Sequence, residues 1–351
     1  MEQLPIQMVP PLLQWYHTHA RELPWRGAPT PYAVWVSEIM LQQTRVEAVR
    51  GYFARFLAAL PTISDLAEAR EETLLKLWEG LGYYSRARNL QKAARILVES
   101  YGGQLPASFA ELCKLPGIGE YTAGAIASIA FGEPVPAIDG NALRVWSRLL
   151  AEEQDITKAA CKRECFRQFQ EVIPPDQPGD FNQAIMDLGA TVCTPHGQPH
   201  CGSCPVSAFC TAYALGIAAS LPVKPEKKPR RIENRTVFLL WKEDRIALRQ
   251  RENQGLLAGL WEFPQVEGHL SPKAAKQQIA QWGYAAGVLQ RAPAHTHIFS
   301  HVEWHMWAYS AQITGGDPQV DFQWASKQEF HHQFPLPSAF QPWAANLPWK
   351  E

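Results

Sequence analysis

From Leu12 to about Leu215 apolar residues recur at helical spacing, and no repeated alternation of the kind a half-buried strand needs is present. The spacing predicts helices over residues 32–44, 64–77, 87–101, 108–115 and 121–131. Thr30 offers a side-chain oxygen as N-cap of the first, and Pro31 follows it, where a missing N–H costs nothing. Farther along, short runs rich in β-branched and aromatic residues, at 236–241, 245–249, 297–302 and 304–308, are parted by Gly, Pro and Asp, which predicts strands. Between the two patterns, the stretch from Leu221 to Arg231 mixes prolines with like charges, and such a segment stays extended and solvated. The chain therefore reads as a mainly α domain over 1–220, a linker over 221–235 and a smaller α+β domain over 236–351.

A chain of 351 residues, 46% of them hydrophobic, is long enough to bury two separate cores. It has no apolar run near the roughly 20 residues that span a bilayer, and Met1-Glu2-Gln3-Leu4-Pro5 is no basic leader before an apolar block. No membrane partner is expected, and the reading places the protein in the cytoplasm, nucleoid-associated if the source is bacterial. The net charge of -1 does not by itself point to a polyanion. Any nucleic acid would have to be held locally, by helix N-termini, exposed amides and a few placed Arg or Lys. The basic run in the linker could touch phosphates, although a solvated hinge explains it as well.

The seven cysteines are an odd number, which does not suit a disulfide framework. Cys193, Cys201, Cys204 and Cys210 form C-x7-C-x2-C-x5-C directly after the apolar segment 181–192. Four thiolates in so short a loop can close on zinc or on an iron-sulfur cluster. Spacing alone leaves both open, but only the middle pair has the close spacing of a zinc knuckle, which favours a cubane with spread corners. Cys113, Cys161 and Cys165 sit in helical runs, where packing is their default role.

Two carboxylates stand out. Glu38 interrupts the apolar run Val34-Trp35-Val36-Ser37-Glu38-Ile39-Met40-Leu41. Burial there would raise its pKa and suit it to general acid work, unless it reaches the surface or pairs with an Arg. Asp139 precedes Gly140-Asn141-Ala142-Leu143-Arg144 and is expected to cap a helix. Backbone donors at a cap hold a carboxylate ionised, which a cationic sugar transition state would require. Before it, Leu115-Pro116-Gly117-Ile118-Gly119 joins two predicted helices; the turn is either an ordinary tight one or a hairpin whose amides meet a phosphate.

These residues together resemble the iron-sulfur helix-hairpin-helix DNA glycosylases, through L-P-G-x-G, the aspartate before Gly-Asn and the four closing cysteines. Within them the chain resembles the adenine DNA glycosylases of the MutY family, through Leu23-Pro24-Trp25-Arg26, Ser37-Glu38-Ile39-Met40-Leu41-Gln42-Gln43-Thr44 and the stretch from Gly80 to Leu90. The resemblance spans essentially the whole chain. It implies a helix-hairpin-helix glycosylase domain with a [4Fe-4S] cluster on Cys193, Cys201, Cys204 and Cys210, then a Nudix-like domain. It implies that Glu38 protonates adenine and that Asp139, with Asn141 beside it, stabilises the oxocarbenium ion or adds to it. Tyr121 stands where lyase relatives place a lysine, and a phenol forms no Schiff base, so a monofunctional enzyme is expected. Arg21, Leu23, Trp25, Arg26 and Asp187 match the adenine pocket. Gln43 and Tyr83 match the residues that wedge into the duplex, and Gly117 and Gly119 the phosphate-binding hairpin. The implied partner is double-stranded DNA with an adenine:8-oxoguanine mispair, bound by a monomer. A pyrimidine- or mismatch-specific glycosylase of the same fold and a non-catalytic lesion sensor are the alternatives.

The segment from Gly255 to Pro264 resembles a Nudix strand and turn. The Glu-rich, magnesium-binding helix that should follow is replaced by Ala275-Lys276-Gln277-Gln278-Ile279-Ala280-Gln281, so no pyrophosphatase activity is expected. Phe299-Ser300-His301 matches the family's loop that inspects the oxidised guanine. His295, His297 and His305 lie nearby in a strand-like stretch, where histidines are more often surface residues than metal ligands. The first cysteine gap, seven residues, is one longer than the family pattern, so the loop 194–200 is expected to bulge with ligation intact.

Overall fold

The structure is a computed structural model and describes residues 3–27, 29–226 and 229–349. Lys227 and Lys228, which the linker reading takes in, lie outside the described residues. Chain contacts divide the protein into two compact units: Met1–Ala69 with Arg88–Glu226, and Arg70–Ala87 with Lys227–Glu351. The segment Arg70–Ala87 thus belongs with the C-terminal unit, which a reading of periodicity does not reveal.

In chain order the helices up to residue 226 begin with α1 (Val9–His19), α2 (Pro31–Leu41), α3 (Val46–Ala59) and α4 (Ile63–Glu68). Next come α5 (Glu71–Leu77), α6 (Ser85–Ser100), α7 (Phe109–Leu112) and α8 (Glu120–Phe131). The last are α9 (Gly140–Leu149), α10 (Ala159–Val172), α11 (Pro178–Thr191) and α12 (Thr211–Ala214). The single helix expected over 64–77 is two, because Ala69 and Arg70 turn extended between α4 and α5. That break is where the chain passes from the first unit to the second. At α2 the expected cap is present: Ala33 N donates to Thr30 Oγ1 at 3.2 Å, with Pro31 opening the helix.

Nine of the 11 residues of α2 are buried, so this helix is apolar on all sides and runs through the core. A second cluster joins α1, α9, α10 and α11 through Leu12, Trp146, Phe169 and Phe181, and takes in Cys161 and Cys165 as packing residues. Ahead of α9 the chain runs extended, and Asn182 of α11 pins it. Its Oδ1 accepts from Ala137 N at 2.9 Å, and its Nδ2 donates to Val135 O at 2.9 Å and to Ser128 Oγ at 2.8 Å. Backbone groups buried two and four residues before Asp139 are thereby satisfied, which fixes where α9 begins.

The second unit is built on a sheet with strands β1 (Arg231–Lys242), β2 (Arg245–Gln250), β3 (Trp261–Glu262), β4 (Gln265–Glu267), β5 (Tyr284–Ala286), β6 (Gln290–Ile298), β7 (Val302–Gly316) and β8 (Gln323–Ala325). The path is β3-β2-β1-β7-β5, with β4 on β1, β6 on β7 and β8 on β2. Strands β1 and β7 are parallel from Arg231↔Val302 to Trp241↔Gln312. The linker expected over 221–235 is therefore shorter: pairing with β7 holds 231–235 as strand despite its charged composition. The run expected as one strand over 297–302 is two strand ends and a turn, closed by Phe299 N donating to Val302 O at 2.9 Å.

One sheet face packs Phe263, Trp304 and Met306 on Phe330 of α14 (Lys327–His332), Trp343 of α15 (Gln341–Ala344) and Phe340 in the turn before α15. The other packs Phe238, Leu240 and Tyr309 under Ala275 and Ile279 of α13 (Pro272–Gln281). Buried Glu262 is engaged by Arg249 at 2.8 Å, Arg251 at 2.6 Å and the Gln265 amide. Within this unit α5 is tied to the C-terminal segment: Lys76 Nζ donates to Phe334 O at 3.1 Å, and Leu336 N to Glu79 Oε1 at 2.8 Å. No helix among the described residues is long and apolar enough to cross a membrane.

Candidate active site

In the first unit Glu38 and Asp139 open onto one cavity of 670 Å³, within the roughly 300–1,000 Å³ of sites that enclose small molecules. Arg21, Leu23, Trp25, Arg26, Tyr121 and Asn141 share its wall. Each comes from an element placed for packing reasons. Glu38 lies on the core helix α2 and is itself buried. Trp25 is held edge-on to Phe53 of α3, with ring centroids 5.4 Å apart. Tyr121 is at the start of α8, where its hydroxyl donates to Glu38 Oε2 at 2.5 Å.

The carboxyls differ in their partners. Burial pushes Glu38 up to about 7, against the Tyr121 hydrogen bond and the charge of Arg26, with Asp139 adding to the rise. A group poised there holds its proton through the lower half of the neutral range and has one to give. Asp139 caps α9: its Oδ1 accepts from Ala142 N at 2.7 Å and its Oδ2 from Asn141 Nδ2 at 2.6 Å. Burial nonetheless outweighs these bonds, and the Asp139 pKa is raised from the ordinary carboxylate value. Of the two, Asp139 still has the more donors, so a single proton shared by the cavity goes to Glu38.

Asp187 is the residue placed differently from its expected position on the pocket wall. It is fully buried behind the cavity and grips two arginines: Arg26 by both terminal nitrogens, at 2.7 and 3.0 Å, and Arg21 by Nε at 2.7 Å and by its backbone N at 3.1 Å. Burial alone would raise its pKa, but the hydrogen bond and charge of Arg26, then Arg21, bring it below the usual carboxylate value. Gln183, Met186 and Ala190 line the cavity and were not singled out from sequence. They share one face of α11 at helical spacing, and Asp187 on the same helix was the signal pointing to them.

A groove of 680 Å³ shares Leu41, Tyr121 and Asp139 with the cavity and extends along Gln43, Gly119, Thr157, Lys162 and Lys224. Gln43 has a left-handed backbone, φ 58°, an uncommon conformation for such a side chain that projects it from the end of α2. Gly117, φ +79°, makes the hairpin turn, where a Cβ would stand 2.8 Å from Asn89 Cβ. Gly119 is the N-cap of α8 with open space beside it, so the first amides of the helix face the groove.

In the second unit Tyr83, also left-handed at φ 47°, is exposed, and its hydroxyl meets Ser300 Oγ at 2.6 Å. Phe299 packs edge-on to Trp304 at 5.0 Å and to His297 at 4.5 Å, so it anchors the turn. Ser300 and His301 are exposed beside it. His305 bonds Glu303 Oε1 at 2.9 Å.

The four clustered cysteines line one enclosed site with Arg148, Leu188, Val192 and Val206. Among the described residues no three His, Cys, Asp or Glu approach closely enough to grip a single ion. The wall carries four thiols and no carboxylate or imidazole, a donor set that suits zinc or an iron-sulfur cluster. Arg148 Nη1 donates to Cys193 Sγ at 3.1 Å, and burial pushes the Cys204 thiol up to about 12. The long first gap is folded into a turn closed by His200 N on Val192 O at 2.9 Å, with Gly197 left-handed. Buried Arg144 lies between this loop and the cavity: Nε donates to Cys193 O at 2.8 Å, and Nη2 to Asn141 Oδ1 at 2.9 Å and to Gly189 O at 2.7 Å.

The comparisons with known proteins agree with this geometry. A family described as HhH-GPD superfamily base excision DNA repair protein matches residues 36–174, and one described as NUDIX domain matches 236–346. A solved structure described as a thermostable thymine-DNA glycosylase superposes with TM-score 0.55 at 27% identity, over 60% of this chain and 96% of that one. Fold and site thus define a base-excision DNA glycosylase with a helical N-terminal domain and a C-terminal Nudix domain. The human adenine DNA glycosylase is 37% identical over 91% of this chain and 70% of its own length. The protein of that name in Schizosaccharomyces pombe is 34% identical over 92% and 85%. The chain belongs to the adenine DNA glycosylase family.

Gly189 of α11 lies so near Asn141 that an added Cβ would fall 2.5 Å from Asn141 Cβ. Gly189→Ala is expected to push Asn141 off Asp139 and to slow single-turnover excision on the order of 10- to 100-fold while the protein stays folded. A folded variant with the wild-type rate would contradict the placement.

Proposed function

We propose that the protein removes adenine from duplex DNA where it is mispaired with 8-oxoguanine or guanine, by hydrolysis of the N-glycosidic bond, as the first step of base excision repair. The observation that carries this reading is the pair of unlike carboxyls, Glu38 and Asp139, on one cavity with room for a purine nucleoside. An adenine reaches that cavity only by leaving the base stack, at a cost of a few kcal/mol. Gln43 of the first unit and Tyr83 of the second are each presented by left-handed backbone, as suits a side chain that enters a base stack. The groove past Gly119, Lys162 and Lys224 would hold the backbone through helix-terminal amides and charge. Ser300 and His301, with Tyr83 bonded to Ser300, would read the opposing guanine edge by hydrogen bonds.

In the chemical step Glu38 gives its proton to N7 of adenine, which draws electrons out of the C1′–N9 bond and makes the base a neutral leaving group. The bond breaks with its electron pair going to adenine. The sugar is left as an oxocarbenium ion, and Asp139, oriented by Asn141 and Ala142 N, stabilises it. Water then adds at C1′ and loses a proton, leaving an abasic site. Tyr121 holds Glu38 in place and has no amine to trap the sugar, so the strand stays intact. The Cys193, Cys201, Cys204 and Cys210 ring is proposed to hold a [4Fe-4S] cluster. When bound, the cluster supplies a cross-link between α11 and the loop before α12.

Glu38→Gln should abolish single-turnover excision from an adenine:8-oxoguanine duplex yet leave binding intact; retained turnover would refute the acid role. Because the protonated form of Glu38 is the active one, the wild-type rate should fall as pH rises through about 7. A rate flat across that range would contradict the assignment. The purified protein should be brown, with iron and a broad absorbance near about 400 nm. Equimolar zinc without iron would overturn the cluster.

A further inference from the structure

An acid that must keep its proton is poorly served by cations, yet Arg21 and Arg26 share the cavity with Glu38. In a low-dielectric site a guanidinium favours the ionised form of a nearby carboxyl, and Arg26 acts on Glu38 in that sense. Behind both stands Asp187, its side chain 1% exposed. One carboxylate meets four side-chain nitrogens: Arg26 Nη1 and Nη2 at 2.7 and 3.0 Å, and Arg21 Nε and Nη2 at 2.7 and 2.6 Å. Forked pairing of this kind fixes the plane of each guanidinium as well as its charge. The Tyr16 ring, 5.7 Å from the Arg26 guanidinium, closes the other side.

We infer that Asp187 is a positioning residue that acts through charge: it binds both arginines from behind, turns their remaining donors toward the substrate base, and cancels one of their two charges at Glu38. The inference rests on the reading of Glu38 as the general acid and explains how that acid works beside two cations. The remaining groups around Glu38 do not replace this effect. Tyr121 from α8 donates to the carboxylate and favours ionisation, while Asp139 at the head of α9 opposes it. Arg45 and Glu47, at the start of α3 on the cavity wall, carry opposite charges, and Glu47 pairs with Arg50 at 3.3 Å. The charge balance around the acid thus depends on the Asp187 clamp.

The test is the pH dependence of single-turnover excision from an adenine:8-oxoguanine duplex by the cluster-bearing wild type, Asp187→Asn, Arg21→Gln and Glu38→Gln. With Asp187→Asn the midpoint of the alkaline fall should move down by about one pH unit, so that the loss is largest at neutral pH and partly recovered in acid. With Arg21→Gln, which removes a cation and leaves Asp187 to Arg26, the midpoint should move up. A purely structural role would lower the rate equally at every pH with unmoved midpoints, and that result would overturn the inference. If Asp187→Asn does not fold, Arg21→Gln decides alone: an upward shift upholds the inference and an unmoved midpoint overturns it. Turnover by Glu38→Gln would instead remove the general acid itself, which separates failure of the function from failure of the clamp.

Discussion

A carboxyl group taken into a protein interior must either find a counter-charge or keep its proton, and the first unit contains one case of each within a single helix-bound neighbourhood. Glu38, on a helix buried on nearly all sides, has a phenol as its side-chain partner among the described residues and is pushed up to about 7. Asp187 meets two guanidinium groups and is held below its usual value. Asp139 falls between, raised by burial but given a backbone amide and a side-chain amide at the head of α9. The partners each carboxyl finds, set against its burial, decide whether its pKa rises or falls.

The rest of the first unit holds these three groups in register. Asn182 fixes the extended chain before Asp139, α11 approaches α9 so closely that Gly189 touches Asn141, and Arg144 spans from Asn141 to the loop of Cys193. Asn182 and Arg144 also give hydrogen bonds to the backbone carbonyls of Val135, Cys193 and Gly189. Such bonds cost little when satisfied and a great deal when broken, so the geometry is held more rigidly than apolar packing alone would hold it. The second unit has its own cores on both sheet faces, and its turn at Phe299 is anchored by Trp304, which leaves Ser300 free to meet Tyr83.

Much of this was legible in the sequence because it follows from local pattern. The cap at Thr30, the cap at Asp139 and a glutamate inside an apolar helix each depend on neighbours within one or two turns. What was not legible depends on distant partners. The split between α4 and α5 marks the passage between units, and the charged residues 231–235 become strand only because β7 pairs with them. Asp187 is placed in the pocket by the family resemblance; the ion pairs that hold it behind the wall come from residues about 160 positions earlier. The upward shift of Asp139 has the same origin, since a cap can be recognised locally but the depth of its burial cannot.

The most direct test of the account is the ionisation of Glu38 itself in the folded protein without DNA. Carboxyl carbon NMR of protein labelled at glutamate, with Glu38→Gln used to assign the resonance, would follow that single group through a pH titration. The account predicts a midpoint near 7. A midpoint in the ordinary range for glutamate, about 4 to about 5, would mean that the buried acid is ionised at neutral pH and that the proposed proton donor does not exist.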